Sequence, residues 1–77
     1  MHMATRFPME RVAVIDRAIR AGEYPNARTI ADRLEVSRRT IQRDIDFMRD
    51  RLDAPLVFDA KRNGYTYQRS TFAWHTI

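Results

Sequence analysis

The feature that most limits the folds open to this chain is a pair of helical patterns with almost no sequence between them. In the second pattern, apolar residues recur at intervals of four, three and four positions, the spacing of one face of an α-helix. These residues are Ile41, Ile45, Met48 and Leu52. The first pattern covers residues 27–34, and only Glu35 and Val36 separate it from Ser37, which favours the N-cap of a helix. The spacing predicts two helices, the second ending at about Leu52, packed across a tight turn.

Each fixed position around this turn has a packing role that its residue can fill. Two helices cross closely only where the first has a small inward side chain, and Ala31 is such a residue. Val36 is placed to fill the turn, while Ile41 and Ile45 hold the second helix to the core. The pattern indicates a helix-turn-helix. Glu35 stands where glycine is common, and a left-handed residue other than glycine costs about 1 kcal/mol, so a distorted or slightly longer turn is expected.

A further helix is predicted ahead of this pair. Within residues 9–21, Val12, Ile15 and Ile19 fall on one stripe. Pro8 comes just before the pattern and Gly22 just after it, where a rigid first turn and a left-handed cap are favoured.

After the third helix the pattern changes to that of a hairpin. Residues 56–59 and 65–68 are aromatic or β-branched, and Asn63-Gly64 between them supports positive φ. The aromatic residues Phe47, Tyr65 and Tyr67 are expected to pack this hairpin onto the third helix. The predicted fold class is therefore mainly α with a small β-hairpin, a winged helix-turn-helix of three helices plus a two-stranded wing.

Length and composition exclude several classes of function. A chain of 77 residues forms one small domain, and without cysteine it has no disulfide or cysteine-based metal site. His2 and His75 lie in opposite terminal segments, not at metal-ligand spacing. No apolar run is long enough to span a bilayer. The sequence has no nucleophile–base pair or phosphate-cradling glycine loop, and Asp44 is expected to form an ion pair within the domain. We therefore expect neither enzymatic activity nor a cofactor.

Charge favours an anionic partner at the third helix. The formal net charge is +4 and the sequence pI is about 10.3. With Ile41 directed inward, Arg39 and Arg43 point outward, Gln42 lies to one side and Arg38 lies nearer the edge. Residues 37–43 carry three positive charges and no acid at the positive end of the helix dipole, which an anionic partner would stabilise. Duplex DNA is such a partner, since arginine can bind guanine and glutamine adenine in the major groove.

Flanking residues are candidates for phosphate contacts. Asn26, Arg28 and Thr29 lie at the start of the second helix, and Lys61 and Arg62 lie at the hairpin tip. Three alternatives remain open for these basic regions: a solvated surface, a membrane-surface helix, and a stacking platform for single strands formed by the aromatic residues.

The sequence also resembles a known family. Residues 29–67, TIADRLEVSRRTIQRDIDFMRDRLDAPLVFDAKRNGYTY, resemble the winged helix-turn-helix at the N-terminus of bacterial WYL-domain transcriptional regulators. They are also similar to DeoR-like and biotin-repressor-type domains. The most specific parts are SRRTIQRDI at residues 37–45 and GYTY at residues 64–67, and the resemblance covers about residues 9–68.

The resemblance implies that the third helix reads operator DNA and that the wing contacts the backbone. Base-reading roles are then expected for Ser37, Arg38, Arg39, Gln42 and Arg43. Phosphate contacts are expected for Asn26, Arg28, Thr29, Thr40, Lys61 and Arg62. The implied protein is a cytoplasmic, nucleoid-associated bacterial regulator that binds double-stranded DNA and does not bind membranes, with the intact regulator a homodimer.

The chain divides into an N-terminal arm at residues 1–8, a DNA-binding domain at residues 9–69, and a tail or linker start at residues 70–77. Two other functions remain open. The winged helix could bind an acidic protein partner, or it could be the regulatory module of an enzyme whose catalytic part lies outside this chain.

Overall fold

The computed structural model describes residues 7–68 and shows three helices followed by an antiparallel hairpin. The elements are α1 (Pro8–Arg20), α2 (Ala27–Leu34), α3 (Arg38–Asp50), β1 (Leu56–Asp59) and β2 (Gly64–Tyr67). This confirms the predicted mainly helical fold with a two-stranded wing. Residues 1–6 of the predicted arm and the predicted tail, residues 70–77, lie outside the described residues. No helix in the described part is long and apolar enough to cross a membrane.

A proline and a glycine bound α1. Pro8 is the first helical residue, one position earlier than predicted, because its fixed φ suits the first turn and its missing N–H needs no partner there. Gly22 has a φ of +74°, and its N–H donates to the carbonyl of Ile19 at 3.0 Å. The N–H of Glu23 donates to the carbonyl of Ala18 at 3.1 Å. These two bonds form a Schellman motif, as the predicted left-handed cap requires.

The turn between α2 and α3 is tight and regular, so the predicted distortion is wrong. Glu35 itself takes the left-handed conformation, with φ 59° and ψ 42°, and its N–H donates to the carbonyl of Ala31. The N–H of Val36 donates to the same carbonyl at 3.1 Å, and the partly buried Val36 side chain packs on the core. The turn therefore keeps its short length and accepts about 1 kcal/mol of backbone strain at Glu35.

Helix α3 ends at Asp50, two residues earlier than predicted. Asp53 has a φ of 56°, a left-handed conformation that does not continue the helix. The N–H of Ala54 then donates to the carbonyl of Met48 at 2.9 Å, and Leu52 packs against the core from this irregular segment. The apolar periodicity therefore runs past the end of the helix.

One core lies between the three helices and the base of the wing. Its largest fully buried side chains are Val12, Ile15, Ile30, Ile41, Ile45 and Met48. Ala31 is buried in the core, as its predicted role in the close crossing of α2 and α3 requires. Ala54 and Leu56 add to this core from the segment that leads into the wing. Helix periodicity thus predicted most of the core correctly.

One ion pair is buried in the fold, and a second joins a buried carboxylate to an exposed arginine. Arg11 donates from Nε and Nη2 to the two carboxylate oxygens of Asp44, the second bond measuring 3.0 Å, which confirms the ion pair predicted for Asp44. Asp16 is also buried and accepts bonds from Arg20 Nε at 2.9 and 3.0 Å. The Tyr67 hydroxyl donates to Asp16 at 2.7 Å. Burial, together with this hydrogen bond, raises the pKa of Tyr67 well above its ordinary value of 10.0.

The wing packs on α1 and on the segment that joins α1 to α2, whereas the sequence predicted packing on α3. Tyr67 anchors β2 to α1 through the hydrogen bond described above. The N–H of Tyr65 donates to the carbonyl of Pro25 at 2.7 Å. Asn26 Nδ2 donates to the carbonyl of Asn63 at 3.0 Å. The wing is therefore attached directly to the start of α2.

Gly64 is needed at the closest point of this attachment. A Cβ at this position would lie 1.7 Å from the carbonyl oxygen of Tyr24. Asn63 takes the positive φ of 55° at the end of the turn, while the φ of Gly64 lies outside the left-handed region. The prediction of positive φ is thus correct for Asn63 and wrong for Gly64, which is required for a close backbone approach.

Candidate nucleic-acid interface

The N-terminal half of α3 presents an exposed basic face. Its exposed residues include Arg38, Arg39, Gln42 and Arg43, while Ile41, Asp44, Ile45 and Met48 are buried. The outward direction predicted for Arg39 and Arg43 from periodicity is the observed one. Gln42 Nε2 lies 3.3 Å from Asp46 Oδ1. Because an ionised carboxylate only accepts hydrogen bonds, the nitrogen side of the Gln42 amide faces Asp46.

Positive charge that lacks an acidic partner is concentrated around the starts of α2 and α3. Ion pairs join Arg11 to Asp44, Arg20 to Asp16, Arg33 to Glu23, Arg49 to Asp46 and Arg62 to Asp59. Within residues 7–68, no such pair involves Arg28, Arg38, Arg39, Arg43 or Lys61. Arg17 on α1 and Arg51 after α3 also lack one in that range. The densest group therefore lies where the sequence predicted an anionic partner.

Capping hydrogen bonds hold the first residues of both helices. Asn26 Oδ1 accepts from the N–H of Thr29 at 2.9 Å, and Thr29 Oγ1 accepts from the N–H of Asn26 at 3.1 Å, which makes a capping box. Ser37 Oγ accepts from the N–H of Thr40 at 3.0 Å, and the two hydroxyl oxygens are also 3.0 Å apart. These four residues orient the helix ends, and their contacts with DNA stay predictions.

A shallow groove lies between the start of α2, the start of α3 and the wing. It is lined by Asn26, Ala27, Arg28, Arg38, Gln42, Phe58, Asn63 and Tyr65. The groove thus brings together four predicted site residues from the two helices, and no acidic side chain is among its lining residues. In the described part of the chain, no cluster of His, Cys, Asp or Glu is arranged to hold a metal ion.

The wing adds an aromatic residue to this groove that sequence reasoning missed. Phe58 is 48% exposed, and its ring meets Tyr65 edge-to-face, with centroids 5.2 Å apart. Strand alternation places Phe58 on the same side of β1 as Leu56, which is buried. The alternation therefore gave no sign that Phe58 lies beyond the edge of the core.

The two basic residues at the wing tip have different surroundings. Arg62 turns back on the protein: Nη1 donates to Asp59 Oδ2 at 3.0 Å, and the guanidinium carbon lies 4.7 Å from the Tyr24 ring centroid. Hydrogen bonds to Asp59, first of all from the backbone N–H of Arg62, lower the pKa of this carboxyl. Lys61 is exposed, and its ammonium has no acidic partner within residues 7–68. The Lys61 side chain is therefore more available than that of Arg62 to bind a phosphate.

Comparison with known proteins identifies the same region of the chain. A family model described as an HTH domain matches residues 13–66, from within α1 to within β2, which is more than half of the 77 residues. Searches of curated proteins and of solved structures gave no match. The matched family is one of regulatory domains that bind DNA and are not catalytic. The chain therefore belongs to the HTH-domain family of helix-turn-helix DNA-binding domains.

Proposed function

We propose that this chain binds double-stranded DNA sequence-specifically, with the N-terminal half of α3 in the major groove and the wing along the backbone. The observation that carries the proposal is the exposed face of Arg38, Arg39, Gln42 and Arg43, whose arginines have no acidic partner within residues 7–68. Positive charges near the N-terminus of α3 destabilise the free helix by a few tenths of a kcal/mol each, and a polyanion reverses that sign. This face is therefore more stable when it is bound to DNA than when it is exposed to water alone.

Side-chain chemistry assigns base reading to the outermost residues of α3. Arginine forms two hydrogen bonds with guanine, and glutamine forms two with adenine. We place Arg39 and Arg43 toward guanine and Gln42 toward adenine. With its nitrogen side toward Asp46, the Gln42 amide keeps its oxygen and a second N–H for a base. That acceptor and donor match the adenine edge.

Phosphate contacts are proposed for the residues that flank this face. Arg28 at the start of α2 and Lys61 at the wing tip are exposed and without acidic partners in the described part of the chain. Arg62 has less freedom to bind phosphate, because Asp59 and the Tyr24 ring already hold its guanidinium.

The resemblance to WYL-domain and DeoR-like proteins supports a place for this domain in a bacterial transcriptional regulator. Such a regulator acts on operator DNA in the cytoplasm. As a homodimer, it would read two half-sites about one helical turn apart, so a two-fold symmetric operator is expected.

Selection of bound duplexes in vitro, followed by competition between a selected and a scrambled duplex, tests the proposal. We expect the chain to bind the selected duplex more tightly than the scrambled one. The logarithm of the binding constant K should fall linearly with the logarithm of the salt concentration. Arg39→Ala or Gln42→Ala should narrow the gap between the duplexes by about 1–3 kcal/mol, whereas Lys61→Ala should weaken both equally. Equal binding of both duplexes by every variant would refute sequence-specific reading. No duplex binding at low salt would favour an acidic protein partner instead.

A further inference from the structure

We infer that the groove between α2, α3 and the wing seats one strand of the DNA backbone, with Arg28 and Arg38 on phosphates and the Phe58 ring against a deoxyribose. This inference rests on the proposed function. It assigns two roles that neither the sequence pattern nor the family match gives: a DNA contact for Phe58, and backbone binding in place of base reading for Arg38.

The two helical sides of the groove match a phosphate chain. Arg28 comes from α2 and Arg38 from α3, and both are exposed and lack an acidic partner within residues 7–68. The other polar lining groups are side-chain amides and the Tyr65 hydroxyl, and one amide nitrogen, Asn26 Nδ2, already donates to the Asn63 carbonyl. A guanidinium presents a planar set of donors that fits phosphate oxygens. The groove is therefore complementary in charge to a polyanion.

The wing side of the groove carries two aromatic rings, those of Phe58 and Tyr65, beside the Asn63 amide. Phe58 is 48% exposed, and its ring is supported by the edge contact with Tyr65. A DNA strand alternates anionic phosphates with largely apolar sugars, so a surface with two guanidinium groups and one phenyl ring matches its repeat. Burying the exposed part of that ring against a sugar is favourable, whereas leaving it in water gains nothing.

The position of the groove also agrees with α3 in the major groove. Arg38 and Gln42 line the groove, while Arg39 and Arg43 lie on the face of α3 outside it. With Arg39 and Arg43 directed at base edges, the strand that borders the major groove falls on the Arg38 side. Because the wing is bonded to the start of α2, this seat exists before DNA binds.

Affinities measured at several salt concentrations, for a selected and a scrambled duplex, separate the roles. Arg38→Ala should weaken binding to both duplexes equally. It should also make the slope of log K against log salt shallower by about 0.9, which corresponds to the loss of one phosphate contact. Phe58→Ala should weaken both about tenfold with the slope unchanged, and Phe58→Leu should keep most of the affinity. Arg17→Ala removes an exposed arginine from α1 outside the groove and should leave the slope unchanged.

A scan of single methylphosphonates, each of which neutralises one phosphate, then locates the contact. A methylphosphonate at one position of the duplex should weaken binding by the wild-type chain but not by Arg38→Ala. Circular dichroism checks that Phe58→Ala is folded. If Phe58→Ala is not folded, Phe58→Gln is used in its place, and the same loss of affinity is expected. Unchanged affinity after loss of the Phe58 ring, or an Arg38→Ala that narrows the selected–scrambled gap at constant slope, overturns the inference but not the proposed function. A wild-type chain that binds no duplex overturns both.

Discussion

Replacing Gly64 by alanine tests how the wing is attached. The new Cβ would lie 1.7 Å from the carbonyl oxygen of Tyr24 and 2.3 Å from its carbonyl carbon. Non-bonded carbon contacts are favourable only from about 3.5 Å, and because both atoms belong to the backbone, no rotamer change relieves the clash. Strand β2 must therefore move away by more than an ångström.

That movement breaks the hydrogen bonds that cross the same contact. The Tyr65–Pro25 bond measures 2.7 Å and the Asn26–Asn63 bond 3.0 Å. Each contributes about 1 kcal/mol, and residual overpacking adds about 1–3 kcal/mol. We expect Gly64→Ala to lower the free energy of unfolding by about 3–5 kcal/mol, as measured by urea titration with circular dichroism.

Gly22 supplies the matched control, because its requirement is conformational and not steric. It has a φ of +74°, and a Cβ there meets nothing within 4 Å. Gly22→Ala should cost about 1 kcal/mol or less, and Gly22→Asn should recover part of that loss since asparagine tolerates positive φ. Gly64→Asn should recover nothing relative to Gly64→Ala. If Gly64→Ala were no more destabilising than Gly22→Ala, the described attachment of the wing would be refuted.

Three further experiments test the turn, the buried ion pair and the Tyr67 hydroxyl. Glu35→Gly should raise the free energy of unfolding by up to about 1 kcal/mol by removing left-handed strain, and a decrease in urea titration would mean that the contacts of Glu35 outweigh it. Asp44→Ala should cost about 3–5 kcal/mol because it removes the carboxylate that is hydrogen-bonded to the buried Arg11 guanidinium, and adding Arg11→Met should restore most of the loss. Because folding raises the pKa of Tyr67 above 10.0, the unfolded chain loses this proton first, so stability falls as the pH rises above about 10. Tyr67→Phe should be less stable at neutral pH, without the bond to Asp16, but should show a shallower alkaline loss; equal alkaline slopes would contradict the raised pKa.

Local periodicity was sufficient to place α2, the core face of α3 and the Val36 contact, because each depends on residues close together in sequence. Contacts between distant segments were harder to predict. Arg11 shares a stripe of α1 with Ile15 and Ala18, and Asp44 follows Ile41 by three positions, so both charges point inward. That signal could have identified Arg11 as the buried partner in the ion pair predicted for Asp44.

In the candidate site, too, some features follow from local sequence and others depend on contacts between distant segments. The outward direction of Arg39 and Arg43 follows from helix geometry alone. The grouping of Arg28, Arg38 and Phe58 around one groove does not, because it depends on where the wing packs. A strand of four residues has the same alternation whether it lies on α1 or on α3. The contact that decides where the wing packs is that of Gly64 with the Tyr24 carbonyl. In the sequence, Gly64 resembles the glycine of an ordinary hairpin turn.

The attachment of the wing couples stability to the proposed DNA binding. Tyr24 and Asn26 hold the wing tip, so the wing and the start of α2 keep a fixed spacing, and ordering them costs little when DNA binds. Helix α3 is held separately, by Ile41 and Ile45 in the core. At a temperature where it stays folded, Gly64→Ala should therefore weaken binding to selected and scrambled duplexes alike. The preference of α3 between the two duplexes should persist, and its loss in a competition assay would mean that the wing also positions α3.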